Sequence, residues 1–264
     1  LNDMSVVSAR AFTVEETQKY AAAINDPLRM ATSFPGVLAG FDGNNSIIIR
    51  GNSPTGLLWK MEGMDIPNPN HFSLAGNSGG GVSILNSQLL SNSDFVTAAF
   101  AAEYGNALSG VFDLRLRKGN NEKKEYTFQA GIMGLSAAAE GPFSKNYKGS
   151  YLVNYRYSTL ALLSKAGAFD NNGAITTFHD LSYNVYLPTK KAGSFTLFGF
   201  GGLSSDKMNE KKDSAKWEER IDRYPYKFVA NTGMSGLTHN ILLGNRMSLK
   251  SGIGISQAEN GYNE

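Results

Sequence analysis

From about residue 122 onward the sequence alternates between apolar and polar positions. Tyr151, Val153, Tyr155 and Tyr157 oppose Asn154, Arg156 and Ser158, and Leu181, Tyr183, Val185 and Leu187 oppose Ser182 and Asn184. Met247, Leu249, Ser251, Ile253 and Ile255 share one parity, with Ser248, Lys250, Gly252, Gly254 and Ser256 on the other. A period of two places one set of side chains on each face of a strand and is incompatible with a helix. Each run extends for about ten residues, the length and period of a β-strand that crosses a bilayer.

The connections between these runs differ in length. "SKNYKG" (144–149), "PTKKAG" (188–193) and "LGNR" (243–246) are short and turn-like, whereas 162–177 and 204–223 are long and polar. A tight turn near Gly134 splits 122–143 into two strands, so seven strands are predicted, joined by alternately short and long connections. Outer-membrane barrels show this asymmetry. Tyr147, Tyr151, Tyr157, Tyr224 and Tyr226 gather near strand ends, as an interfacial girdle requires. A soluble antiparallel sandwich also alternates, and it would serve a binding or adhesion module. In that alternative the apolar faces pack together in water; in the barrel they face lipid.

Residues 1–118 are mixed. "SVVSARAF" (5–12) reads as a strand, and Thr13 with Glu16 has capping-box spacing for a helix over 13–23. Asp26 and Pro27 suit the N-cap and first position of a second helix, which ends by Pro35-Gly36. "SIIIRG" and "GLLWKMEGMDI" are strand-like, and "VFDLRLR" closes the region as a further strand.

Several chemistries are excluded. A net charge of +2 and the lack of a basic, aromatic-interleaved stripe argue against nucleic acid. With no cysteine there are no disulfides, thiolate metal sites or Cys nucleophiles. His71, His179 and His239 lack metal-ligand spacing, "GNSGGG" lacks the Lys-Ser/Thr of a phosphate loop, and "NALSGV" is not a nucleophile elbow. Acidic pairs lie mainly in the charged stretch 206–222. No catalytic constellation is visible, so no enzyme, metal or cofactor is predicted. The chain opens at Leu1 without a basic or apolar leader and reads as an internal or processed segment.

Three stretches, in order and spacing, carry a resemblance: "SIIIRGNSPTG", "LLWKMEGMDIPNP" and "FAAEYGNALSGVFDLRLRKG". They resemble the plug domain of TonB-dependent outer-membrane receptors, with a strand ending in Arg-Gly, a strand ending in acidic-Gly, and a closing Tyr-Gly, strand and Lys-Gly. "NPNHF" and "NSDF" look like receptors from Bacteroidota. "SDFVTAAFAAEYG" departs from the family's Ile-Glu-Arg-Ile-Glu, and no coupling box precedes Leu1.

The resemblance implies an α+β plug domain over 1–119, then antiparallel transmembrane barrel strands over 120–264. These make about seven strands of a 22-stranded barrel. It further implies energised import across the outer membrane of a Gram-negative bacterium, with the plug gating the pore. The ligand class would be a siderophore, cobalamin, a glycan or similar. Implied partners are the inner-membrane TonB complex, reached through an upstream segment, the outer-membrane lipid and a possible surface lipoprotein. Arg50-Gly51 and Glu62-Gly63 become gating motifs, with Arg50 and Glu62 expected to pair with each other or with Arg156. Asn52 and Ser53, and Asn68, Asn70 and His71, become two ligand-facing apices. Glu103, Tyr104 and Gly105, with Ser109-Gly110, are expected to be structural, their glycines permitting close backbone approach.

Overall fold

The computed structural model describes residues 9–12, 26–40, 44–131, 134–167, 174–210, 217, 223–244 and 246–263. The helix expected from Thr13 and Glu16 lies outside the described residues. Within them, an N-terminal unit holds α1 (Pro27–Ala31) and the short strands β1 (Ala9–Phe12), β2 (Val37–Ala39), β3 (Ile47–Ile49), β4 (Leu57–Met61), β5 (Met64–Asp65), β6 (Asn70–His71), β7 (Val82–Ser83), β8 (Ser93–Val96) and β9 (Gly110–Leu114). Asp26 caps α1, its Oδ1 accepting from the Leu28 amide at 2.9 Å, and Pro27 occupies the first turn.

The main sheet of this unit has the order β1-β8-β9-β4-β5, with β4 parallel to β9. Its core is a ring stack, Trp59 on Phe112 at 4.7 Å and Phe112 on Phe95 at 4.4 Å. Gly110 admits this packing, because a Cβ there would lie 2.4 Å from Ile49 Cδ1. Gly105 has no such role; its nearest neighbour would be 3.9 Å away. Tyr104 is buried, and its hydroxyl donates to Asp113 Oδ2 at 3.0 Å, while Glu103 is exposed.

The structure gives Arg50-Gly51 and Glu62-Gly63 a different role from the expected charge pair. All four residues have positive φ (51°, 79°, 52° and 85°). Ile49 bridges Asn52 across the first pair, and Met61 faces Met64 across the second. Each dipeptide is therefore a two-residue turn with φ > 0 at both positions, the requirement of a type I′ turn. "GLLWKMEGMDI" is thus a hairpin, β4 to β5, and not one strand. Among the described residues β3 pairs with β2, in a sheet separate from that of β4, so the two turns belong to different sheets.

The seven predicted C-terminal strands form one antiparallel meander in chain order. They are β10 (Glu125–Gly131), β11 (Gly134–Pro142), β12 (Ser150–Tyr157), β13 (Ile175–Pro188), β14 (Ser194–Met208), β15 (Tyr226–Leu242) and β16 (Ser248–Asn263), with α2 (Leu160–Lys165) between β12 and β13. Register fixes the faces: Tyr151, Val185, Leu197, Leu237 and Ile253 form one outward rung. Phe128, Ile253 and Ile255 on that face are 80%, 72% and 77% exposed, so among the described residues no second sheet of a sandwich covers it. The N-terminal unit lies on the opposite, inner face, where β6 meets β14 and β15.

Beyond its own chain neighbours, no described atom lies within 4 Å of the position a Cβ would take on Gly51, so Gly51→Ala adds backbone strain alone. It should cost about 1–2 kcal/mol, the penalty of left-handed backbone for a residue with a Cβ. Gly110→Ala must displace Ile49 and should cost about 1–3 kcal/mol by overpacking. Denaturant melts of the purified full-length protein in detergent check both.

Candidate functional site

The surface on which the N-terminal unit meets the sheet buries two carboxylates, Glu140 and Asp180, together with His71. One part is apolar. The backbone at Gly202 on β14 leaves room for Ile84 and His71, whose atoms would lie 2.6 and 2.7 Å from an added Cβ. Gly236, Gly252 and Gly254 on β15 and β16 similarly receive Met64. Phe198, Phe200 and Met234 complete this contact and belong to the same hydrophobic core as Trp59 and Ile84.

The other part is polar. Arg117 makes two hydrogen bonds to Glu140 on β11, at 2.8 and 2.7 Å, and the Asn120 amide donates to the same carboxylate at 2.7 Å. Two parallel N–H···O bonds fix both distance and orientation, as a lysine could not. Further along, Asp180 Oδ2 on β13 accepts from Arg156 Nε on β12 at 2.8 Å and lies 2.9 Å from His71 Nε2. Arg156 also donates to the Ser83 carbonyl of β7 and lies over the Phe178 ring. Asp180 thus joins a wall arginine to a histidine of the N-terminal unit, and both His71 and Asp180 have fully buried side chains. Burial holds the His71 imidazole below its ordinary pKa, although the hydrogen bond to Asp180 opposes the shift. Two backbone ties add to this, Phe72 N–H to Ser204 Oγ at 3.2 Å and Asn260 Nδ2 to the Ser73 carbonyl at 2.6 Å.

Several expected site residues occupy other positions. Asn70 and His71 are 1% and 0% exposed and so present nothing to an external ligand. Asn68 Nδ2 donates to the carbonyls of Asn77 and Gly79, and its Oδ1 accepts from Asn70. Asn45, which no sequence motif singles out, links Asp26 and Asn70 at 2.7 Å each and receives the Gly80 amide. The expected apex is therefore an internal amide network that closes the loop 66–80. Burial raises the Asp26 carboxyl above its ordinary pKa within that network. Asn52 and Ser53 are exposed, and Ser53 Oγ caps the Pro54–Gly56 turn through the Thr55 amide. Glu62 accepts from the Leu116 amide at 2.8 Å, and Arg156 pairs with Asp180, not with Glu62. "GNSGGG" has a steric reason: a Cβ at Gly79 would sit 2.5 Å from Ser46 backbone atoms.

Arg117, Glu140 and Asp180 were missed from sequence, though the two acids left a signal. Glu140 in "AAAEGP" and Asp180 in "FHDLSY" are lone acids on the polar parity of apolar dyads, where only a buried partner makes a charge tolerable.

No protein-family model matches the sequence, and no curated protein aligns with it. Solved structures do match in fold. The siderophore receptor PirA of Pseudomonas aeruginosa superposes with a TM-score of 0.60 at 14% identity, over 97% of this chain and 41% of its own. The outer membrane transporter YddB of Escherichia coli gives 0.61 at 13%, over 97% and 39%. The siderophore receptor PiuA of Acinetobacter baumannii gives 0.61 at 15%, over 97% and 37%. The chain spans about two fifths of each of these proteins, and at such identities the likeness is one of fold: an antiparallel sheet matching part of an outer-membrane receptor.

Asp180→Ala deprives buried His71 and half-buried Arg156 of their shared acceptor and should cost about 3–5 kcal/mol. For His71 the sign follows from its depressed pKa: the neutral ring is favoured in the fold, so its contribution is complete above 6.5 and is lost as pH falls below that value. Melting of the full-length protein across pH 7.5 to about 5 should show this loss, and His71→Gln should remove that component of the slope.

Proposed function

We propose that this chain is part of a TonB-dependent outer-membrane receptor of a Gram-negative bacterium, related to those of Bacteroidota. In this reading, residues 1–119 act as the plug domain and 120–264 supply about seven strands of a 22-stranded barrel. The observation that carries the proposal is a single sheet with an apolar, uncovered outer face and an inner face occupied by a separate α/β unit. Hydrocarbon is the solvent that such an outer face requires, and a lumen filled by polypeptide accounts for the charges on the inner face.

The function that follows is import of a bulky or scarce ligand, with no covalent chemistry, energised through the inner-membrane TonB complex by the proton gradient. The plug closes the lumen at rest through the Arg117–Glu140 and His71–Asp180–Arg156 contacts. PirA and PiuA are described as siderophore receptors, which makes ferric chelates the first ligands to test, ahead of cobalamin and glycans. Asn52 and Ser53 remain candidate ligand contacts because they are exposed.

Uptake of radiolabelled ferric siderophores, cobalamin and oligosaccharides by a deletion strain and its complemented parent tests the proposal. Uptake of one probe should depend on the gene, and a proton-gradient uncoupler should abolish it, with the protein in the outer-membrane fraction. Recovery of the full-length protein in the soluble fraction, or gene-dependent uptake that persists with the uncoupler, contradicts the proposal.

A further inference from the structure

The two parts of the contact between the N-terminal unit and the sheet differ in how well their polar atoms are satisfied. On the inner face of β12 and β13, Asn154 stands opposite Ser182, Leu152 opposite Asn184, Arg156 opposite Asp180 and Ser150 opposite Tyr186. Ser150, Asn154, Ser182, Asn184 and Asp180 are each 1–3% exposed. Among the described residues, both side-chain polar atoms of Asn154 lack a hydrogen-bond partner. So do the hydroxyls of Ser150 and Ser182, and Oδ1 of Asn184 and of Asp180. His71 Nδ1, which faces this strip from β6, is also without one. The remaining atoms are engaged: Asn184 Nδ2 holds the Arg117 carbonyl, and Asp180 Oδ2 holds Arg156 and His71.

These atoms form a continuous strip. It runs along β12 from Ser150, beside the short connection 143–149, to Arg156, beside the long connection that carries α2. It therefore runs the length of β12, while β13 continues past Asp180 to Ile175. On β14–β16 the contact is made mainly by Phe198, Phe200, Met234, Met64 and Ile84, packed onto glycine backbone, and its two polar ties, Phe72 N–H to Ser204 Oγ and Asn260 Nδ2 to the Ser73 carbonyl, are both satisfied.

We infer that this strip on β12 and β13 is a hydrated seam, and that it is the route by which a cargo rich in hydroxyl or amide groups passes between the plug and the wall. The inference rests on the transport reading and adds to it the side of passage and the chemistry of the cargo. Buried polar atoms without protein partners are where ordered water resides, while apolar hollows stay dry. Parting the polar strip exchanges one set of water and amide hydrogen bonds for another. Parting the β14–β16 contact would expose apolar surface to water. The apolar half thus stays closed and serves as the fixed side. A hydrophilic cargo can replace seam water group for group, which an apolar one cannot.

The chain contains no cysteine, so single-cysteine variants of the full-length receptor report without background from this region. Asn154→Cys and Ser182→Cys should react with a small, membrane-impermeant maleimide at least ten-fold faster than Met234→Cys and Ile84→Cys, although all four native side chains are buried. Adding Asn154→Leu to Ser182→Cys should slow its labelling to the rate of the apolar controls. Equal rates at all four sites, or faster labelling at Met234→Cys and Ile84→Cys, would overturn the inference. If Asn154→Cys does not fold, Ser182→Cys, which changes one atom, carries the comparison. Labelling needs neither cargo nor energy, so a dry seam refutes this inference alone and leaves the transport reading to the uptake experiment.

Discussion

Strict alternation along β10–β16 is the constraint from which the remaining architecture follows. Successive side chains point to opposite faces, so committing Tyr151, Val185, Leu197, Leu237 and Ile253 to one side places every intervening residue on the other. The outer face can then meet hydrocarbon, and the inner face is free to carry Glu140, Arg156 and Asp180. Those charges need partners, and the N-terminal unit brings Arg117 and His71 to them. A paired buried charge adds little net stability over an apolar contact, yet losing one partner is costly. Such contacts fix where the unit sits without making its attachment strong.

The turns of the N-terminal unit serve the same end. The type I′ hairpin at Glu62-Gly63 directs Met64 into the glycine-floored hollow of β15 and β16. The Glu62 side chain then accepts the Leu116 amide, just before Arg117 reaches Glu140. One short segment therefore positions both an apolar and an ionic contact with the wall.

Much of the fold was legible in the sequence, because periodicity and turn residues are local signals. Seven meandering strands, the pairing of Gly131 with Gly134 that joins the first two, the Asp26 cap, and the closing strand read from "VFDLRLR", of which Val111–Leu114 lie in β9, all follow from residues close in the chain. The functional surface was less legible. Arg50 and Glu62 read as a charge pair, but the glycines after them signalled turns, and turn geometry decided their surroundings. Asn68, Asn70 and His71 have the composition of an exposed apex. Their burial depends on Asn45 and Asp180, which are 25 and 109 residues away from Asn70 and His71 respectively, and no local pattern encodes such partners. The lone acids Glu140 and Asp180 were the available clue.

The central claim is that the two faces of the seven-stranded sheet meet different media, lipid outside and polypeptide inside. Spin labels placed singly at Thr196, Leu197, Leu237, Thr238, Gly252 and Ile253 of the full-length protein in bilayers, read for collision with oxygen and with a water-soluble nickel chelate, test it most directly. The account predicts a period of two: high oxygen and low nickel collision at Leu197, Leu237 and Ile253, and restricted access to oxygen at Thr196, Thr238 and Gly252. Uniform access along each strand, or nickel access at the outward positions, would contradict it.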